Sequence, residues 1–135
     1  MSSAAVGGVV FDRAAVIAWA QQAPYALAVG FASIELNSVI LIPTTALAEA
    51  RALVPADKRA VLDVLLGLPN TVVLDLDQAG AIVVSEVLAA APQVREGLSA
   101  AQVAAAGVGR DYPVLTSRGP VLRELDPRVL VDELP

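Results

Sequence analysis

Residues 9–20 read VVFDRAAVIAWA, and residues 38–53 read SVILIPTTALAEARAL. In each, a short run of large apolar residues meets Asp or Pro and passes at once into an Ala-rich stretch of helical length. The run Val9-Val10-Phe11 is continuously apolar and stops at Asp12, the pattern of a strand buried on both faces. Residues 13–22 then carry Ala14, Ala15, Ile17, Ala18 and Trp19 with polar Arg13, Gln21 and Gln22, which predicts a helix. The second run, Ser38 to Ile42, is stopped by Pro43, and Thr44 or Thr45 stands where it can cap a helix through about Leu53. Two such strand–helix units set the expectation of a parallel sheet with right-handed helical crossovers.

The rest of the chain extends the same alternation. Pro24 breaks the first helix and a second piece covers residues 25–36. Pro55, Ala56 and Asp57 restart a helix with Val61, Leu62, Leu65 and Leu66 on one face. Pro69-Asn70 turns into a third strand, Thr71–Leu76, after which Asp77 caps a helix to about Ala91 that Pro92 ends. Gln93 to Gly97 reads as a polar loop, and Ser99 as the cap of another Ala-rich helix closing near Gly107 or Gly109. Tyr112–Thr116 is the fourth strand, followed by a short helix near Pro120–Leu125 and a last strand, Val129–Val131. The predicted architecture is one α/β domain over residues 1–135: three layers, with a five-stranded, mostly parallel sheet flanked by helices.

Composition narrows the function classes. Aromatics are 4% of a chain that is 56% hydrophobic, so its core must be built from Val, Leu, Ile and Ala. The mean hydropathy of +0.67 raises the question of a membrane. The longest apolar runs, however, are broken by Asp12, Glu35, Glu49 or Glu86, short of the roughly 18 residues a spanning helix needs. No basic region precedes an apolar stretch at the N-terminus, so no signal peptide is expected there. The surplus hydrophobicity is read as small helices covering both faces of the sheet and as a subunit interface. With no Cys and no His, disulfides, thiolate nucleophiles, Ser-His-Asp triads and Cys/His zinc sites are excluded. Any metal must be hard and oxygen-bound, such as Mg²⁺ or Mn²⁺. A net charge of −5 argues against a broad basic surface for duplex DNA, while the lack of Cys fits a cytoplasmic protein.

In an open parallel sheet the ligand crevice lies beyond the carboxyl ends of the strands. There the sequence places Asp12 after the first strand, Thr44, Thr45 and Glu49 after the second, and Thr116, Ser117 and Arg118 after the fourth. The segments VVFDRAAVIAWA, LIPTTALAEARAL and AAQVAAAGVGRDYPVLTSRGPVLREL, in this order, resemble the successive motifs of PIN domains, the metal-dependent nuclease fold of many bacterial toxins. The resemblance spans about residues 8–131. It implies three or four carboxylates around one or two Mg²⁺ or Mn²⁺ ions that activate a water and stabilise charge at a scissile phosphate. Carried over, Asp12 and Glu49 match metal-binding acids, and Thr116 and Ser117 match the Thr-Ser pair, giving Asp12, Glu49, Thr116 and Ser117 as the candidate site. The third acidic position, counted back from Thr116, falls on Ala100, and the fourth on Arg118. Arg118 would repel a metal or pair with Asp12 in its place. The toxin-type resemblance further implies RNA as a target, a small antitoxin-like protein across the groove, and a homodimer formed through the early helices.

Other readings stand beside these. Asp12 also serves as a helix cap, Glu49 as a solvated or Arg-paired side chain, Thr116-Ser117 as a strand-end turn and Arg118 as a surface charge. Glu49 shares a helix face with Ala46 and Leu53, a poor place for a carboxylate unless something polar faces it. Gly107-x-Gly109 leads into a strand, which favours a helix end over a phosphate loop. Three functions follow. The first is a PIN-like protein with an incomplete metal site, weak or inactive as a nuclease, acting through RNA or protein binding. The second is an active Mg²⁺-dependent endoribonuclease toxin, with Ser99, Gln102 or another acid completing the site. The third is a non-nuclease regulatory α/β domain, since the run VVLDLD at residues 72–77 resembles STAS domains, although Asp77-Gln78-Ala79-Gly80 lacks the phosphorylatable Ser of that family's turn.

Overall fold

The computed structural model describes residues 7–95 and 97–135. The N-terminal segment ahead of residue 7, and Glu96 within the expected Gln93–Gly97 loop, lie outside the described residues. The element order is β1 (Gly8–Phe11), α1 (Arg13–Ala20), α2 (Pro24–Glu35), β2 (Val39–Pro43), α3 (Thr44–Leu53), a 3₁₀ turn (Ala56–Lys58), α4 (Arg59–Leu66), β3 (Thr71–Leu74), α5 (Gln78–Ala90), α6 (Leu98–Arg110), β4 (Val114–Thr116), α7 (Gly119–Leu125) and β5 (Val131–Glu133). The strands form one sheet in the order β3-β2-β1-β4-β5, and all four pairings are parallel. The expected α/β architecture with helical crossovers is the one observed.

Strand alternation divides the core into two layers. Val9, Phe11, Ile40, Ile42 and Leu115 face one side, where they meet Ala15, Val16 and Trp19 of α1 and Leu62 and Leu65 of α4. Val10, Leu41 and Val114 face the other, against Ala100, Val103 and Ala104 of α6 and Leu122 and Leu125 of α7. The period of two along each strand thus places a helical layer on either face. Trp19 is core: it is 2% exposed and its indole N–H donates to the Val61 carbonyl at 3.1 Å.

Several element ends differ from the sequence-based expectation, each for a visible reason. β3 stops at Leu74 and not Leu76, because its neighbour β2 ends opposite it at Pro43. The Leu74 carbonyl is taken instead by the Gln102 side-chain amide at 3.2 Å. α6 runs past Gly107 and Gly109 to Arg110 and closes at Asp111, which takes the left-handed conformation at φ 59°. Gly107 is there for close approach, since a Cβ would lie 2.9 Å from Val114 Cγ2 and 3.2 Å from the Tyr112 carbonyl oxygen. Ser99 does not cap α6; the cap position is Gly97, at φ 82°. Neither Thr44 nor Thr45 caps α3, whose N-cap is Pro43. β5 begins at Val131, two residues later than expected, because Asp126 accepts from the Arg128 N–H at 3.0 Å and holds residues 126–129 in a turn. Asp77 caps α5 as expected, accepting from the Gly80 N–H at 2.8 Å. Among the described residues no helix is long and apolar enough to cross a membrane.

Candidate functional site

The strand order reverses between β1 and β4: the chain leaves β1 toward β2 and β3, and leaves β4 toward β5. At such a switch point the loops beyond the two strands diverge and leave a crevice. Asp12 follows β1 and Thr116 ends β4, so both stand at its floor, and both are fully buried.

Asp12 combines two of the roles read from the sequence. Its Oδ1 accepts from the Ala14 N–H at 2.8 Å, which caps α1. Its Oδ2 accepts from the Thr116 hydroxyl at 2.6 Å and from Arg118 Nε at 3.2 Å. The Thr116 oxygen in turn accepts the Arg118 backbone N–H at 2.8 Å, so the strand-end turn also fixes the chain that carries the guanidinium. Arg118 is no surface charge: its side chain is 12% exposed. Burying a carboxylate is costly unless it gains hydrogen bonds and a counter-charge, and Asp12 has both.

Glu49 lies in the second turn of α3, with its side chain 40% exposed. Something polar does face it. Arg13 Nη1 lies 3.0 Å from Glu49 Oε1, and the Ser99 hydroxyl donates to the same oxygen at 2.6 Å. Burial, the largest single influence, pushes the carboxyl up. The hydrogen bonds from Ser99 and Arg13, with the charges of Arg13 and Arg118, outweigh it and hold Glu49 below the ordinary glutamate value. Arg118 therefore acts on both carboxylates, and Asp12, Glu49, Arg13, Ser99, Thr116 and Arg118 form one cluster.

Three other positions read from the sequence stand elsewhere. Ser117 is exposed and borders a separate depression with Ala14, Tyr25 and Leu134. Ala100, at the third acidic position, is wholly buried in the core among α6 neighbours. Gln102 is 3% exposed and does not reach the carboxylates. Its Oε1 accepts from the Thr45 hydroxyl at 2.6 Å and the Thr45 N–H at 3.2 Å, supplying from α6 the cap that α3 lacks. A neighbouring cavity of about 360 Å³ between β3, α5 and α6 is lined by Asp77, Val84, Gln102 and Arg110.

In this arrangement these donors do not fit the divalent ion that the PIN resemblance implies. Mg²⁺ depends on anionic oxygens. Both oxygens of Asp12 are engaged, with a guanidinium nitrogen at 3.2 Å, where an incoming cation meets like charge. Among the described residues no three of His, Cys, Asp and Glu gather into a metal-holding group.

No family model matches the sequence, and no curated protein matches it. Solved structures do match in fold. The structure of VapBC2 from Rickettsia felis bound to a DNA fragment from its promoter matches with a TM-score of 0.71 at 14% identity, covering 93% of this chain and 98% of that one. That of FitAB bound to the IR36 DNA fragment matches with a TM-score of 0.58 at 16% identity, covering 93% of this chain and 94% of that one. At such identities the likeness speaks for the fold, and the fold is PIN-like.

Proposed function

We propose that this chain is a single-domain PIN-like protein of the toxin–antitoxin type, whose metal site is incomplete and which acts through RNA or protein binding with nuclease activity weak or lost. The observation that carries this reading is the buried Asp12–Arg118 pair at 3.2 Å. PIN-type hydrolysis needs free carboxylate oxygens for a metal that activates water, and here the central carboxylate is spent on a guanidinium. The fold likeness to VapBC2 and FitAB supports an antitoxin-like protein partner, and the lack of Cys supports a cytoplasmic place for it. A homodimer through the early helices draws support from the exposed side chains of Phe31, Leu36 and Val64 on α2, its C-terminal end and α4.

The test is RNA cleavage in Mg²⁺ or Mn²⁺, with and without EDTA, beside Asp12→Ala. Cleavage at or barely above that of the variant is expected. Robust cleavage abolished both by EDTA and by Asp12→Ala overturns the reading and establishes the second one, an active endoribonuclease. That second reading draws on Ser99, whose hydroxyl stands 2.6 Å from Glu49 and adds an oxygen to the cluster. It requires Arg118 and Arg13 to leave their carboxylates. The regulatory reading finds no support in the VVLDLD run, where the strand ends at Leu74 and Asp77 serves as a helix cap.

A further inference from the structure

We infer that Arg118 is the built-in cation of the crevice, holding the place a divalent ion would take, so that removing this one side chain uncovers metal binding by Asp12 and Glu49. The inference rests on the reading above and deepens it, from a site that lacks acids to a site already filled.

Three observations carry it. First, the guanidinium is inside: the Arg118 side chain is 12% exposed and the Asp12 side chain 0%. An Arg whose role is solubility keeps its head in water along an apolar stem; this one is turned inward onto a carboxylate. Second, it is placed from two directions. Arg118 Nε meets Asp12 Oδ2 at 3.2 Å, and its backbone N–H donates at 2.8 Å to the Thr116 hydroxyl that itself donates to Asp12. The hydroxyl therefore ties the carboxylate and the main chain of its counter-ion into one unit. Third, the same charge reaches Glu49 on α3, so one cation serves carboxylates from two different strand–helix units, the relation a bridging ion has. Arg13 differs: its contact is with Glu49 alone of the two, at 3.0 Å, and its side chain is 29% exposed.

Coulomb repulsion makes the two cations alternatives. A divalent ion at Asp12 would sit within a few ångströms of the guanidinium, in a place sheltered from water where such repulsion is poorly screened. Without Arg118, a buried carboxylate is left in want of a counter-charge. Asp12, Glu49, Thr116 and Ser99 then offer oxygens of the hardness Mn²⁺ prefers.

The experiment is titration of the full chain with Mn²⁺, followed by calorimetry and by the electron-spin resonance of free Mn²⁺, for the wild type, Arg118→Ala, Arg118→Asp and Arg13→Ala. Arg118→Ala is expected to bind Mn²⁺ at least about tenfold more tightly than the wild type, a modest demand beside the repulsion removed, and Arg118→Asp more tightly still. Mn²⁺ should raise the melting temperature of these variants and leave that of the wild type unchanged. Arg118→Gln, which keeps volume and a donor toward Asp12, carries the same expectation. Folding of the variants only in the presence of Mn²⁺ supports the inference, and failure to fold with or without it overturns the inference.

Equal Mn²⁺ affinity in the wild type and Arg118→Ala also overturns it, as does an equal gain on removing Arg13. Folded Arg118 variants that bind no Mn²⁺ sink this inference and leave the PIN-like reading with an incomplete metal site standing. Metal-dependent RNA cleavage by the wild type sinks that reading first.

Discussion

Gln102 Oε1 accepts both the hydroxyl of Thr45, at 2.6 Å, and its backbone N–H, at 3.2 Å. Its Nε2 meanwhile donates to the Leu74 carbonyl at 3.2 Å. One buried amide therefore holds the start of α3 and the end of β3 against α6. Gln102→Ala strands these groups away from water and leaves a cavity, so it should cost about 3 kcal/mol. Urea unfolding measures the loss. Hydrogen exchange at the Thr45 N–H should accelerate more than that of the β1 amides, and equal acceleration everywhere would count against a local clamp.

Thr116 offers a sharper comparison. Its hydroxyl donates to Asp12 and accepts from the Arg118 N–H, so Thr116→Val keeps the shape and removes both bonds. A destabilisation of about 2 kcal/mol is expected, because one partner is charged and buried. Thr116→Ser retains the hydroxyl and should lose less than half as much. Equal losses would mean that packing, and not the hydroxyl, matters at this position.

Glu49 supplies a pH dependence. Burial opposes ionisation, but Ser99, Arg13 and Arg118 prevail and lower its pKa in the folded chain. Between the lowered value and the unfolded one, about 4.3, the folded state binds fewer protons. Its contribution to stability is thus complete above the unfolded value and is lost as pH falls through the lowered one. Ser99→Ala should move the Glu49 titration upward, toward the ordinary value, in carbon-detected NMR. The side chain is 40% exposed, so the change in stability should be small. A titration identical to that of the wild type would assign the whole effect to the arginines.

The single Trp gives an optical test of packing. Gly30 on α2 faces it, and a Cβ there would overlap Trp19 Cζ3. Ala is the better helix former by about 1 kcal/mol, but the ring is 2% exposed and tied to Val61, so it cannot step aside freely. Gly30→Ala should therefore destabilise by about 1–3 kcal/mol and shift the fluorescence maximum to the red. A stabilised variant with unchanged emission would show that the ring has room to move.

The sheet was legible because its signals are local. Val9-Val10-Phe11 before Asp12 and Val39–Ile42 before Pro43 announce buried strands within a few residues, and the structure has them as β1 and β2. Asp12 and Thr116 are legible because both end such runs. Ser99 as a cap and Gln102 as a site residue mislead for the opposite reason. A Ser ahead of an Ala-rich run looks like a cap, yet Ser99 already lies inside α6 behind Gly97, and its partner, Glu49, is 50 residues away. Gln102 acts on Thr45 across 57 residues. No spacing within one helix reports contacts of that range. Arg13, which the sequence offers only as a polar residue of the first helix, belongs to the Glu49 cluster for the same reason.

The pairing of β1 with β4 bears on how the molecule is made. β1 lies at the centre of the sheet, and its pairs Val10–Val114 and Phe11–Leu115 join the beginning of the described chain to its last quarter. The bond from Thr116 to Asp12 spans 104 residues. During synthesis, then, Asp12 leaves the ribosome long before any of its partners from β4, while β2 and β3 are already free to assemble on one side of β1. The crevice comes into being only when the strand carrying Thr116 slots beside β1, among the slowest kinds of contact for a chain to make. A polypeptide interrupted before residue 114 has three of the five strands and a carboxylate without its partners from β4.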